Sequence, residues 1–114
     1  MVKKKFKGKC EKQQLSKCKG VCKTFNAIQK AYAHQLEQEA DVISFECNVP
    51  VLIDKGEYTT DFLITKEKGV AVRECIYRER IGKPMNMELL NESQKYWQEQ
   101  GISDWGIVVE KAGD

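Results

Sequence analysis

Apolar positions recur with two different periods along this chain, and the change of period marks out the elements. Phe25, Ile28, Tyr32 and Leu36 fall at helical spacing and form one stripe. Thr24 stands where an N-cap belongs, so a helix is expected from Thr24 to about Ala40. The period then shortens. Val42-Ile43-Ser44-Phe45 leads into Val49-Pro50-Val51-Leu52-Ile53, where Pro50 suits an edge or a strand start. After the turn Asp54-Lys55-Gly56-Glu57, the run Tyr58-Thr59-Thr60-Asp61-Phe62-Leu63-Ile64 reads as a strand. Lys66-Glu67-Lys68-Gly69 is a second tight turn, so Val70 to Tyr77 is expected to pair back as a hairpin. A polar loop with Gly82 and Pro84 precedes a helix from Met87 to Gln100, stopped by Gly101. Its apolar face carries Leu89, Leu90, Ser93, Tyr96 and Trp97. Trp105 to Val109 is the last strand, and Lys111 to Asp114 a short tail.

The predicted order is helix, three strands, helix, strand, in one α/β domain over residues 24–114. Residues 1–23 show no sustained period and read as a basic, lysine-rich arm. A chain of 114 residues has room for one core and little more. No apolar run approaches the ~20 residues that span a bilayer, and the N-terminus lacks the apolar stretch of a secretory signal. A cytoplasmic protein without membrane contact is the expectation.

Charge changes this picture. The net +2 hides a +8 segment over residues 1–24 and a −6 body. The basic segment holds Lys3, Lys4, Lys5, Lys7, Lys9, Lys12, Lys17, Lys19 and Lys23. Lysines so clustered suit phosphate contacts, which makes DNA the expected partner and these residues the candidate DNA-binding set. A solubilising tail is the competing reading.

Five cysteines, scattered and odd in number, do not form a disulfide framework. Cys10, Cys18 and Cys22 cluster, but their spacing is not the C-x2-C of a standard zinc site. Free thiols are therefore expected there, with zinc the less favoured reading. His34, the single histidine, falls opposite the apolar stripe and should face water. Trp97 and Trp105 are expected as packing residues, and Cys75 has no visible base to make it a nucleophile.

Three segments carry a resemblance. Tyr58-Thr59-Thr60-Asp61-Phe62-Leu63-Ile64, Tyr96-Trp97-Gln98 and Asp104-Trp105-Gly106-Ile107-Val108 resemble motifs of TnsA-type transposon endonucleases. These belong to the restriction-endonuclease-like, PD-(D/E)xK superfamily. The likeness covers residues 24–111 and implies an αβββαβ core, with a mixed central sheet flanked by helices. It also implies Mg²⁺- or Mn²⁺-dependent phosphodiester hydrolysis, with acids on two adjacent strands holding the ion and a lysine orienting the attacking water.

On that pattern Asp61 and Glu74 are the candidate catalytic and metal-binding acids, and Gln29 takes the place of a helical glutamate. Two positions depart from it. Ile76 stands where the lysine belongs, and Gln29 is not an acid. Arg73 and Lys83 are the candidate substitute cations, while Lys95 and Glu37 fall on solvent-facing sides of their helices. Pairing with Arg73 or Arg78 would also account for Glu74.

Three functions follow as expectations: a metal-dependent DNA endonuclease with an atypical site, an inactive DNA-binding relative, or a subunit that pairs with a transposase or nuclease partner. Nucleases of this fold often cut as homodimers, one domain per strand. The winged-helix-like second domain of full-length TnsA-type proteins is not in this sequence.

Overall fold

A computed structural model describes residues 10–110. Its elements run β1 (Glu11–Gln13), β2 (Cys22–Thr24), α1 (Ala27–Gln38), β3 (Val42–Ile53), β4 (Gly56–Lys66), β5 (Gly69–Cys75), α2 (Arg78–Ile81), α3 (Pro84–Glu99) and β6 (Asp104–Val108). The first helix begins two residues later than its apolar stripe suggests. Asn26 is the cap, accepting from the Gln29 amide at 2.9 Å, and Thr24 belongs to β2. The second long helix begins earlier, because Pro84 suits the first helical turn where no amide is needed.

Strands β3 to β6 form a four-stranded mixed sheet in that order. The β3–β4 and β4–β5 pairs are antiparallel hairpins, and β6 runs parallel to β5 after the α2–α3 crossover. Each hairpin turn carries a glycine at positive φ, Gly56 and Gly69, a conformation that a Cβ would strain.

The sheet is covered on both faces. On one side Ile28, Ala33 and Leu36 of α1 pack with Phe45, Phe62, Ile64 and Ala71. On the other, Trp97 of α3 packs with Val51, Ile53, Tyr58 and Val72. Burial of these side chains is the main favourable term holding the layers together.

One strand position decides where the site lies. A regular strand sends alternate residues to opposite faces. Along β3, however, Phe45 and Cys47 belong to the α1 side, whereas Val49, Val51 and Ile53 belong to the α3 side. Their partners on β4 switch with them: Ile64 and Phe62 pack under α1, and Tyr58 packs under α3. The switch falls at Asn48, which adopts a left-handed φ of 57°, opposite Asp61. Across from it three consecutive β4 residues, Thr60, Asp61 and Phe62, are all buried.

The basic segment departs from the expected arm. Glu11–Gln13 and Cys22–Thr24 pair as an antiparallel two-stranded sheet. Their loop is tied to β3 by Lys19 N–H to Phe45 O at 2.8 Å and Phe45 N–H to Lys17 O at 2.9 Å. Cys22 and Thr24 are buried at 0% and 2% exposure. Residues 10–23 therefore form part of the body, held by strand pairing that a search for apolar periodicity does not detect in three-residue strands. Lys3, Lys4, Lys5, Lys7 and Lys9 lie outside the described residues, as does the 111–114 tail.

Candidate functional site

The β4–β5 ladder ends at the Phe62–Arg73 pair. Beyond it, side chains take over from backbone pairing. The Asp61 amide donates to Glu74 Oε1 at 3.0 Å, and the Cys75 amide donates to Asp61 Oδ2 at 2.7 Å. Each acid thus accepts from the other strand's main chain. The two strands are bridged by their carboxylates where the carbonyl–amide ladder stops.

Both helices complete the network. Gln29 Nε2 of α1 donates to Asp61 Oδ1 at 3.0 Å, and its Oε1 accepts from the Phe25 amide at 2.7 Å. On α3, Ser93 Oγ donates to Glu74 Oε2 at 2.7 Å and accepts from Trp105 Nε1 at 3.1 Å. Trp97 Nε1 donates to Thr60 Oγ1 at 2.9 Å. Asp61, Glu74, Gln29 and Ser93 are all at or below 3% exposure. Buried charge and amide groups are stable only when so paired.

The fold therefore brings Gln29, Asp61 and Glu74 together. Their arrangement does not fit a Mg²⁺ or Mn²⁺ ion. Such an ion takes oxygen ligands and keeps several of its waters, which requires oxygens open to a wet space. Here each of the four carboxylate oxygens already accepts a bond from within the chain, and both side chains are buried. Asp61 is held toward α1 and Glu74 toward α3.

The substitute cations lie elsewhere in the arrangement. Arg73 Nη2 pairs with Asp104 Oδ1 at 2.8 Å, and its Nη1 donates to the Asp104 and Val72 carbonyls, tying β5 to β6. Lys83 is exposed at the start of α3. Ile76 is half-buried just past β5, and its amide donates to Val108 O. His34 and Lys95 are exposed. Glu37 does not simply face solvent: its carboxylate accepts from the Ser16 hydroxyl and from the Ser16 and Lys17 amides. Those donors hold its carboxyl below the ordinary range. Burial pushes the Tyr32 hydroxyl up to about 12.

A second cluster was only half visible in the sequence. Cys18, Cys22 and Cys47 have their sulfurs within 4.8 Å of one another. Cys47 lies 3.0 Å from Cys22 and 3.8 Å from Cys18. Burial pushes the Cys18 thiol up to about 11, while the bond from Cys47 lowers Cys22. Cys10 is not a member. It is exposed and precedes the Glu11–Thr24 pair, whereas Cys22 pairs with Gln13 two positions on. The third thiol comes from β3 because strand pairing folds the hairpin over Cys47, a contact between residues 25 or more apart that spacing could not reveal.

Of the candidate DNA-binding lysines within the described residues, Lys12, Lys19 and Lys23 are exposed on the hairpin. Lys17 is half-buried, its ammonium donating to the Glu39 carbonyl at 2.6 Å. No helix among the described residues is long and apolar enough to cross a membrane. No protein-family model matches the chain, and no curated protein matches it significantly.

Proposed function

We propose that this chain is a restriction-endonuclease-like domain, resembling the TnsA-type nucleases, that engages DNA without cutting it. The closed carboxylate pair carries the reading. Asp61 and Glu74 occupy the positions the resemblance assigns to metal-binding acids, on adjacent strands that part beside them, with Gln29 of α1 against Asp61. The sequence α1, β3, β4, β5, α3, β6, with helices on both faces of a mixed sheet, supports the αβββαβ core. In place of an ion, the chain's own amides and hydroxyl occupy the acids, and Ile76 replaces the lysine. What would have been a catalytic centre serves as a polar clamp between two strands and two helices.

The DNA reading rests on the lysine-rich segment, of which Lys12, Lys19 and Lys23 stand exposed on a hairpin fixed to the body. Ammonium groups on a fixed element neutralise phosphates and release counterions, so binding should weaken steeply with salt.

The test is anisotropy of a labelled duplex across a salt series, beside plasmid nicking with Mg²⁺ or Mn²⁺. Salt-dependent binding with no nicking is expected. Absence of binding at low salt overturns the DNA reading. Metal-dependent nicking that Asp61→Ala abolishes overturns the claim that the site does not cut.

A further inference from the structure

We propose that Cys18, Cys22 and Cys47 form a binding site for a zinc ion that locks the basic hairpin onto the edge of the main sheet. Four thiolates around tetrahedral zinc, at about 2.3 Å each, stand about 3.8 Å apart. The Cys18–Cys47 separation is 3.8 Å, the Cys22–Cys47 separation is 3.0 Å, and all three sulfurs lie within 4.8 Å of one another. Zinc would need to open the Cys22–Cys47 pair by about 0.8 Å, a shift within reach of side-chain rotation.

The donors come from three separate pieces of chain, the hairpin loop, β2 and β3, and backbone bonds fix all three. Cys18 is bridged to Phe45, with Lys19 N–H to Phe45 O and Phe45 N–H to Lys17 O on either side. Cys22 belongs to the β1–β2 ladder, and Asn48, next to Cys47, donates from Nδ2 to Lys23 O at 2.8 Å. The cluster is thus preorganised from both sides.

Chemistry selects the ion. Three sulfurs and no carboxylate favour a thiophilic metal over Mg²⁺ or Ca²⁺. Binding deprotonates the thiols, and each proton released goes to solvent. Cys22 is buried, whereas Cys18 and Cys47 are partly exposed, which leaves the fourth zinc position open to a water molecule. The inference does not depend on the nuclease-fold reading.

The test uses the full chain, reduced without a competing thiol and stripped of metal. Titration with Co²⁺ should give one equivalent bound, with thiolate-to-cobalt charge-transfer absorption, and added Zn²⁺ should displace it. Cys47→Ser should weaken Co²⁺ binding by more than about 100-fold, beyond the effect typical of losing a supporting residue around a metal. Cys10→Ser should leave it unchanged. Should Cys47→Ser fail to fold, as judged by circular dichroism, Cys18→Ser at the partly exposed position should show the same loss. No charge-transfer band in the wild type overturns the site. A band that survives Cys47→Ser or Cys18→Ser, or is lost in Cys10→Ser, overturns the ligand set.

Discussion

Asp61 and Glu74 hold each other's strands: the Asp61 amide donates to Glu74 Oε1 at 3.0 Å, and the Asp61 carboxylate accepts from the amide following Glu74 at 2.7 Å. This exchange replaces the last rungs of the β4–β5 ladder. It also uses the oxygens that a catalytic ion would need, so the residues bearing the nuclease resemblance are tied into stability.

Asp61→Ala should therefore destabilise the fold. It removes the Asp61 oxygens that accept from Gln29 Nε2 and the Cys75 amide in the buried interior. Each orphaned buried donor costs about 1–3 kcal/mol, so the two together are expected to cost about 2–6 kcal/mol. Urea denaturation measures it. A loss below about 1 kcal/mol would mean the clamp is not holding the strands.

Ser93→Ala should act through the other helix. The hydroxyl both donates to Glu74 Oε2 and accepts from Trp105 Nε1, and the residue is fully buried. Removing one oxygen atom should lower stability by about 2–4 kcal/mol and shift the Trp105 fluorescence. Unchanged emission would place Trp105 outside the network.

Ile76→Lys supplies the residue type that the resemblance to nucleases asks for. Because Asp61 and Glu74 remain closed by their internal donors, no metal-dependent nicking should appear in the plasmid assay. Nicking by this variant, absent in the wild type, would show that only the lysine was missing.

Glu37 gives a pH dependence. Its folded pKa lies below the ordinary value of 4.5, first because the Ser16 hydroxyl bonds the carboxylate. A depressed carboxyl pKa adds stability that is present above the unfolded value and is lost as pH falls through the folded one. Urea midpoints should thus fall with acidification below about pH 4.5, and less steeply in Glu37→Gln. Identical slopes in the two proteins would remove Glu37 from the hairpin's anchorage.

Changing Lys12, Lys19 and Lys23 together to glutamine should weaken duplex binding about equally for any sequence, and reduce the salt slope by up to about 3. A slope equal to that of the wild type would take the hairpin out of the DNA contact.

Much of the layered body was legible in the sequence because its elements are amphipathic at their own period. Tyr58 to Ile64 falls within β4, and Leu90, Ser93 and Trp97 line the buried face of α3. The short α2 helix carries no buried residue, and the three-residue strands β1 and β2 are too brief to show a period. Asn48 hides in an otherwise ordinary run, although its backbone is left-handed and Thr60, Asp61 and Phe62 across from it are all buried.

By itself the sequence determined the alternation of helix and strand and the hairpin turns, since each depends on neighbours within a few residues. Only the tertiary structure decided what the polar residues do. Whether Asp61 and Glu74 face water or interior donors, and whether Cys22 meets Cys10 or Cys47, depends on contacts between distant segments. Local periodicity carries no information about which strand lies beside which, and the chemistry of both clusters is set there.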